Sequence, residues 1–417
     1  MLLVLRENSV KMCPRPANVV SAEKKEDSTK KQQPLETINL DQGDPTMFVE
    51  YWKKAGEKSS IVIPGWQNLS YFPNINGGNI CWFLEKEFSD EIKKLHELVG
   101  NAITKDRYIV VGTGSTQLYQ ASLFALASTD DTGNDSSSRP MDVVSAVPYY
   151  SSYPAVTDFL KSGLYKWSGD ACKFDDKNEP YIEVVCSPNN PDGHTMTPVV
   201  NGNRGKLIHD LAYYWPQYTP IPKPADHDIM LFTVSKSTGH AGTRLGWAIV
   251  KDEKIARKMT KFIELSTIGV SKDSQYRAAT IMRAVTESAQ SISLQLAGNF
   301  FDFGRKTMVD RWERLRKVAS ENGAFSLPKY SKRYCNYFGE IREAHPGFAW
   351  LKCNLENVED CESLLEGKLK ILVRGGKNFG MDYKKYVRVS LIDQEDKFQM
   401  LLDRLSSVSS SSTKIKA

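Results

Sequence analysis

Lys236 ends the run Phe232-Thr233-Val234-Ser235-Lys236, and Arg244 follows eight residues later in Gly242-Thr243-Arg244-Leu245-Gly246-Trp247. Upstream stand Ser187-Pro188-Asn189-Asn190-Pro191-Asp192-Gly193 and His209-Asp210-Leu211-Ala212-Tyr213-Tyr214. A lysine amine can condense with an aldehyde once it is deprotonated. A carboxylate such as Asp210, set beside a pyridine nitrogen, keeps that nitrogen protonated. Asn190 and Tyr213 can donate to a phenolate oxygen, while Ser235 and the Arg244 fork can bind a phosphate. Lysine, acid, neutral donors and phosphate ligands are what a pyridoxal-phosphate pocket requires.

Each residue also has an ordinary role. Lys236 could cap a strand, Asn-Pro-Asp-Gly is a common turn, Asp210 could cap a helix and Tyr213 could be core. The joint order and chemical fit of the group favour the pocket.

A glycine-rich segment adds a phosphate cup. Tyr108-Ile109-Val110-Val111 reads as a buried strand and Gly112-Thr113-Gly114-Ser115-Thr116-Gln117 as a tight turn. Leu118, Ala121, Ser122 and Ala125 then recur at helical spacing. Strand, turn and helix start leave backbone N–H groups and a positive dipole end for an anion, with Ser115 and Thr116 able to cap the helix and touch phosphate. Neither a dinucleotide fingerprint nor a P-loop is present.

The elements that must position these groups are legible as alternation. From residue 76 to about 290, helical patterns alternate with the apolar runs at 143–147, 181–185, 206–209 and 229–232. That order predicts an α/β fold with a mainly parallel sheet covered on both faces, its ligand at the carboxyl ends of the strands. Residues 1–36 read as a solvated tail, 37–75 as an arm with an amphipathic stretch near Phe48–Trp52, and 76–290 as a large cofactor-binding domain. Residues 291–407 read as a smaller α+β domain that begins with a charged helix near Phe301–Val318, and 408–417 as a second tail. The polar breaks at 130–134 and 201–205 read as surface loops.

The segments 39–46, 108–117, 187–193, 209–216 and 235–242 resemble the plant alliinase / tryptophan aminotransferase family over roughly residues 37–405. That resemblance implies fold type I of the pyridoxal-phosphate enzymes, with a seven-stranded sheet in the large domain, and a homodimer. It also implies conversion of L-tryptophan and pyruvate to indole-3-pyruvate and L-alanine, a step of auxin biosynthesis. Position by position, it makes Lys236 the lysine that binds the cofactor aldehyde and Asp210 the partner of the ring nitrogen. Asn190 and Tyr213 match the phenolate donors, and Ser115, Thr116, Ser235 and Arg244 the phosphate contacts. Tyr150 is expected to stack on the ring, with Tyr149 as the alternative, and Tyr71 to reach the phosphate across a dimer interface. Arg388 matches the arginine that grips the substrate α-carboxylate, alongside Gly43 and Asn190 as substrate-binding positions. A second arginine for a side-chain carboxylate has no evident counterpart. A C–S lyase acting on cysteine sulfoxides, or a non-catalytic binding protein on this scaffold, are the alternatives. The lyases of this family carry a cysteine-rich N-terminal module and enter the secretory route, features not seen in these residues.

Composition narrows the choice. The 417 residues carry a net charge of +5, with no basic stripe interleaved with aromatics, so nucleic acid is not an expected partner. Cys13, Cys81, Cys172, Cys186, Cys335, Cys353 and Cys361 include no Cys-x-x-Cys, and read as reduced thiols of a cytoplasmic protein. The six histidines show no metal-ligand spacing. The apolar opening Met1–Leu5 is too short for a membrane span, so no membrane association is expected.

Overall fold

Short apolar strands and amphipathic helices alternate around one central sheet. The computed structural model describes residues 35–70, 72, 80–128, 139–176, 178–290 and 298–408. The expected tails, apart from residues 35, 36 and 408, and the expected loop at 130–134 lie outside them. In chain order come β1 (Ile38–Asn39), α1 (Val49–Ala55), α2 (Lys86–Val99), β2 (Tyr108–Gly112), α3 (Gly114–Ala127), β3 (Met141–Ser145), α4 (Tyr153–Asp158) and β4 (Tyr165–Asp170). Next are β5 (Tyr181–Cys186), β6 (Gly205–Asp210), β7 (Ile229–Thr233), α5 (Val234–Ser237), β8 (Gly246–Val250), α6 (Glu253–Thr267), α7 (Lys272–Gln290) and α8 (Phe300–Asn322). The chain continues with β9 (Phe325–Ser326), β10 (Arg333–Cys335), β11 (Glu340–Arg342), β12 (Phe348–Cys353) and α9 (Cys361–Gly367). It closes with β13 (Ile371–Leu372), β14 (Arg374–Gly375), β15 (Tyr386–Ser390) and α10 (Glu395–Ser406).

The seven-stranded sheet has the order β2-β8-β7-β6-β5-β3-β4. β8 runs antiparallel to both neighbours, and the pairs β7–β6, β6–β5, β5–β3 and β3–β4 are parallel. Six strands therefore point one way, as the apolar runs predicted. Every residue of β5, β7 and β8 is buried, the pattern of strands covered on both faces. On β8, Trp247 meets Phe88 and His96 of α2. Trp247 Nε1 donates to His96 Nε2 at 3.0 Å, so His96 must carry its proton on Nδ1, which faces Asn101 Oδ1 at 2.8 Å. Both polar rings are thus satisfied inside an apolar core.

A second, antiparallel sheet has the order β14-β15-β12-β9. The arm joins this part of the chain: β1 pairs with β13, Ser390 N donates to Leu40 O, and Met47 N donates to Ile392 O. The expected amphipathic stretch near Phe48–Trp52 is α1 with the turn before it, and the expected charged helix lies within α8.

One expectation is corrected. Cys353 and Cys361 form a disulfide across eight residues rather than remaining thiols. Their amides donate to adjacent carbonyls, Cys353 N to Lys385 O and Cys361 N to Lys384 O, which brings the end of β12 and the start of α9 to the same stretch of chain. Spacing alone does not disclose that return. Cys81, Cys186 and Cys335 are buried thiols, and Cys172 is an exposed one.

Candidate active site

Because six strands share a direction, β2, β3, β5, β6 and β7 all end at one edge of the sheet, where antiparallel β8 begins. A cavity of about 500 Å³ opens there. Ser115 and Thr116 reach it from the first turn of α3 after β2, Tyr150 from the loop after β3, and Asn190 from the turn after β5. Asp210 and Tyr213 come from the end of β6, Ser235 and Lys236 from α5 after β7, and Arg244 from the turn before β8. Gly43 of the arm completes the wall. Nine residues predicted from scattered segments thus meet with Gly43 around one space.

Lys236 sits in a single helical turn, begun by Thr233, whose hydroxyl accepts from Ser235 N at 3.2 Å. Its amine donates to Gly43 O at 2.7 Å and lies 5.6 Å from the centroid of the Tyr213 ring. Burial, and then the neighbouring positive charge of Arg388, push the amine down to about 8. An amine poised there is neutral far more often than an exposed lysine, as attack on an aldehyde requires.

Asp210 closes β6 and is buried. Tyr153 Oη donates to its Oδ2 at 2.8 Å, and Ala212 N donates to its Oδ1 at 3.1 Å. Burial raises the proton affinity of this carboxyl, and those two donors pull it back. Each oxygen keeps a lone pair, so a cationic N–H in the cavity can be met.

The anion end is built from tight backbone. Gly246 lies opposite both Gly112 and Thr233 in the sheet. A Cβ on Gly246 would fall 2.7 Å from Phe232 O and 2.9 Å from Ser115 N, so only glycine admits the start of α3 so close to the strand. Ser115 and Thr116 lie inside the first turn of α3, whose capping position is Thr113 rather than either of them. Gln117 Oε1 receives the Thr113 N–H at 2.7 Å. Arg244 has a left-handed backbone, φ 53°, and its Nη2 would lie 2.9 Å from a Cβ on Gly114. Its guanidinium therefore covers the turn where the α3 amides begin.

Arg388 lies on β15, opposite Arg374 of β14. Its Nη1 donates to Asn190 Oδ1 at 3.0 Å, and its Nη2 donates to Asp41 O. The guanidinium plane stacks 4.1 Å from the centroid of Phe348, and burial pushes the group down to about 10, still charged at neutral pH. Because the oxygen of Asn190 faces Arg388, its NH2 is left as the donor for the cavity. Asp41 stands between the two arginines, with Oδ1 2.7 Å from Arg374 Nε and 3.7 Å from Arg388 Nη2.

Of the remaining expectations, Tyr150 lines the cavity, whereas the alternative Tyr149 packs against Trp167 at 4.9 Å. Tyr71 lies outside the described residues. Sequence reasoning missed Tyr153, Asp41, Phe348 and Arg374. Their spacing carries no chemical signature; only the fold brings them to Asp210 and Arg388.

Cavity, lysine, acid and anion turn fit pyridoxal phosphate: the Gly114–Gly246 approach and Arg244 suit its phosphate, and Asp210 suits its ring nitrogen. An α/β fold with this mixed seven-stranded sheet and such a site defines the fold type I pyridoxal-phosphate enzymes. An aminotransferase from Staphylococcus aureus superimposes with a TM-score of 0.61 at 18% identity, over 91% of this chain and 96% of that one. Residues 38–409 match the profile of the family described as "Allinase". The chain belongs to that alliinase family, whose members use pyridoxal phosphate. It is 55% identical over 380 residues to tryptophan aminotransferase-related protein 2 of Oryza sativa subsp. japonica, spanning 89% of this chain and 73% of that protein. It is 38% identical over 363 residues to alliin lyase of Allium cepa var. aggregatum, spanning 86% and 79%.

Proposed function

We propose that this chain is an aminotransferase that converts L-tryptophan and pyruvate to indole-3-pyruvate and L-alanine, in the auxin route. Support comes first from one observation: Lys236 and Asp210 line the same cavity, and Arg388 is tied to its wall through Asn190. Greater identity to the rice tryptophan aminotransferase-related protein than to the onion alliin lyase favours transamination over C–S cleavage.

Bound pyridoxal phosphate would supply an aldehyde carbon and an electron-withdrawing ring. Arg388 grips the α-carboxylate of the amino acid, and Asn190 and Tyr213 donate to the phenolate oxygen. The Lys236 amine takes the Cα proton and returns one at the carbon that receives the amino group. Asp210 holds the proton on the ring nitrogen, and Ser115, Thr116, Ser235 and Arg244 hold the phosphate. Among the described residues, Arg374 is paired with Asp41 and Lys397, which lines the cavity, with Asp393. That pairing suits a substrate with a single carboxylate.

The homodimer belongs to the same proposal. Val62, Trp66 and Leu69 project exposed apolar side chains, the kind of surface a second copy covers.

A spectrum of the purified protein, then a panel of amino donors with pyruvate, tests the reading. Alanine formation from L-tryptophan plus pyruvate is expected. Release of pyruvate from a cysteine sulfoxide without transamination would favour the lyase instead.

A further inference from the structure

We propose that Tyr153 is a positioning residue for the acid of this site: its hydroxyl keeps Asp210 ionised and aimed into the cavity, so that the cofactor ring nitrogen retains its proton. The proposal rests on the reading in which Asp210 meets that nitrogen.

Tyr153 opens α4, and its Oη donates to Asp210 Oδ2 at 2.8 Å. Among the described residues, the other oxygen, Oδ1, accepts only from the Ala212 N–H, at 3.1 Å. The hydroxyl is therefore one of two donors that hold a carboxylate surrounded by protein. Burial drives the Tyr153 phenol well above its ordinary value of 10, so it stays an O–H donor at any working pH.

The ring is fixed from two directions. Thr157 Oγ1 donates to Tyr153 O at 2.7 Å, which leaves that hydroxyl to accept from Tyr119 Oη, also at 2.7 Å. Tyr119 of α3 and Tyr150 then flank Tyr153, with ring centroids 5.1 and 5.4 Å away. Tyr150 lines the cavity, and Tyr153 holds its acid a few residues later. One segment after β3 thus serves both the ring face and the ring nitrogen.

A proton shared by a pyridine nitrogen and a buried carboxylate goes to whichever group is the stronger base. A hydrogen bond to the ionised carboxylate favours the ion pair. Without the hydroxyl, Asp210 keeps a single donor, and the proton moves toward the carboxylate.

The test uses holoprotein reconstituted with pyridoxal phosphate labelled with 15N in the ring, read by NMR across neutral pH. In Tyr153→Phe, the 15N signal is expected to move from the protonated toward the unprotonated position. kcat should fall about tenfold or more, with KM for the amino donor unchanged. Fluorotyrosine incorporated at 153 keeps the ring shape and strengthens the donor; it should instead move the 15N signal at neutral pH further toward the protonated position. Asp210→Asn serves as the control. A signal that moves in Asp210→Asn but in neither Tyr153 variant overturns the proposal and leaves the role of Asp210 standing. A signal unmoved in all three refutes the placement of Asp210 at the nitrogen, and the proposal with it.

Discussion

Arg388 Nη1 donates to Asn190 Oδ1 at 3.0 Å, a bond that ties β15 to the turn after β5. The strands belong to different sheets, so this contact couples Arg388 to the large sheet that carries Lys236 and Asp210. It also sets the amide orientation of Asn190. Under the proposed roles, one shared bond would position both the carboxylate-binding arginine and the phenolate donor.

Arg388→Lys should therefore raise KM for the amino donor by about tenfold to a hundredfold, because an ammonium cannot reproduce the planar fork. Its effect on kcat should be smaller. Steady-state kinetics with L-tryptophan at saturating pyruvate measures both; an unchanged KM would remove Arg388 from the carboxylate site.

The lowered affinity of Lys236 for its proton has two consequences. With a midpoint near 8, about a quarter of the amine is neutral at pH 7.5, against about a thousandth for an exposed lysine. Cofactor loading of the apoprotein should thus quicken as pH rises, with a midpoint near 8. The folded protein also binds fewer protons at this site than the unfolded chain between about pH 8 and the model value of 10.5. The group therefore destabilises the apoprotein fully below pH 8, and the penalty fades as pH rises to 10.5. Lys236→Met apoprotein should melt higher than wild type at pH 7, with the difference disappearing above about pH 10.5, and it should have no turnover. Thermal melts of the two apoproteins across this range test the sign.

Gly246→Ala should displace both the end of β7 and the start of α3, since the added methyl meets the Phe232 carbonyl and the Ser115 amide. Weakened phosphate binding by about tenfold or more is expected, read as faster loss of cofactor on dialysis. Normal retention would mean that the close approach does not shape the anion end.

Reduction of the Cys353–Cys361 bond, or Cys353→Ser, should lower stability by about 2 kcal/mol, the loop entropy of so short a closure. Equilibrium urea unfolding measures the loss. Since such bonds persist in oxidising compartments, thiol counting on protein isolated from its own tissue would also report where the chain folds.

The sequence by itself determined which residues line the cavity. Lys236, Asp210, Asn190, Tyr213, Ser235 and Arg244 were legible because each sits next to an apolar run, and strand ends in an alternating α/β chain converge on one edge. The parallel strands followed from the same runs, since a strand buried on both faces needs unbroken apolar residues. Only the tertiary structure decided which groups serve these residues. Tyr153 reaches Asp210 across 57 positions, Asp41 reaches Arg374 across 333, and Cys353 finds Cys361 through adjacent carbonyls of a third segment. Contacts of that kind depend on how helices and sheets pack against one another, and residue spacing along a chain does not encode that.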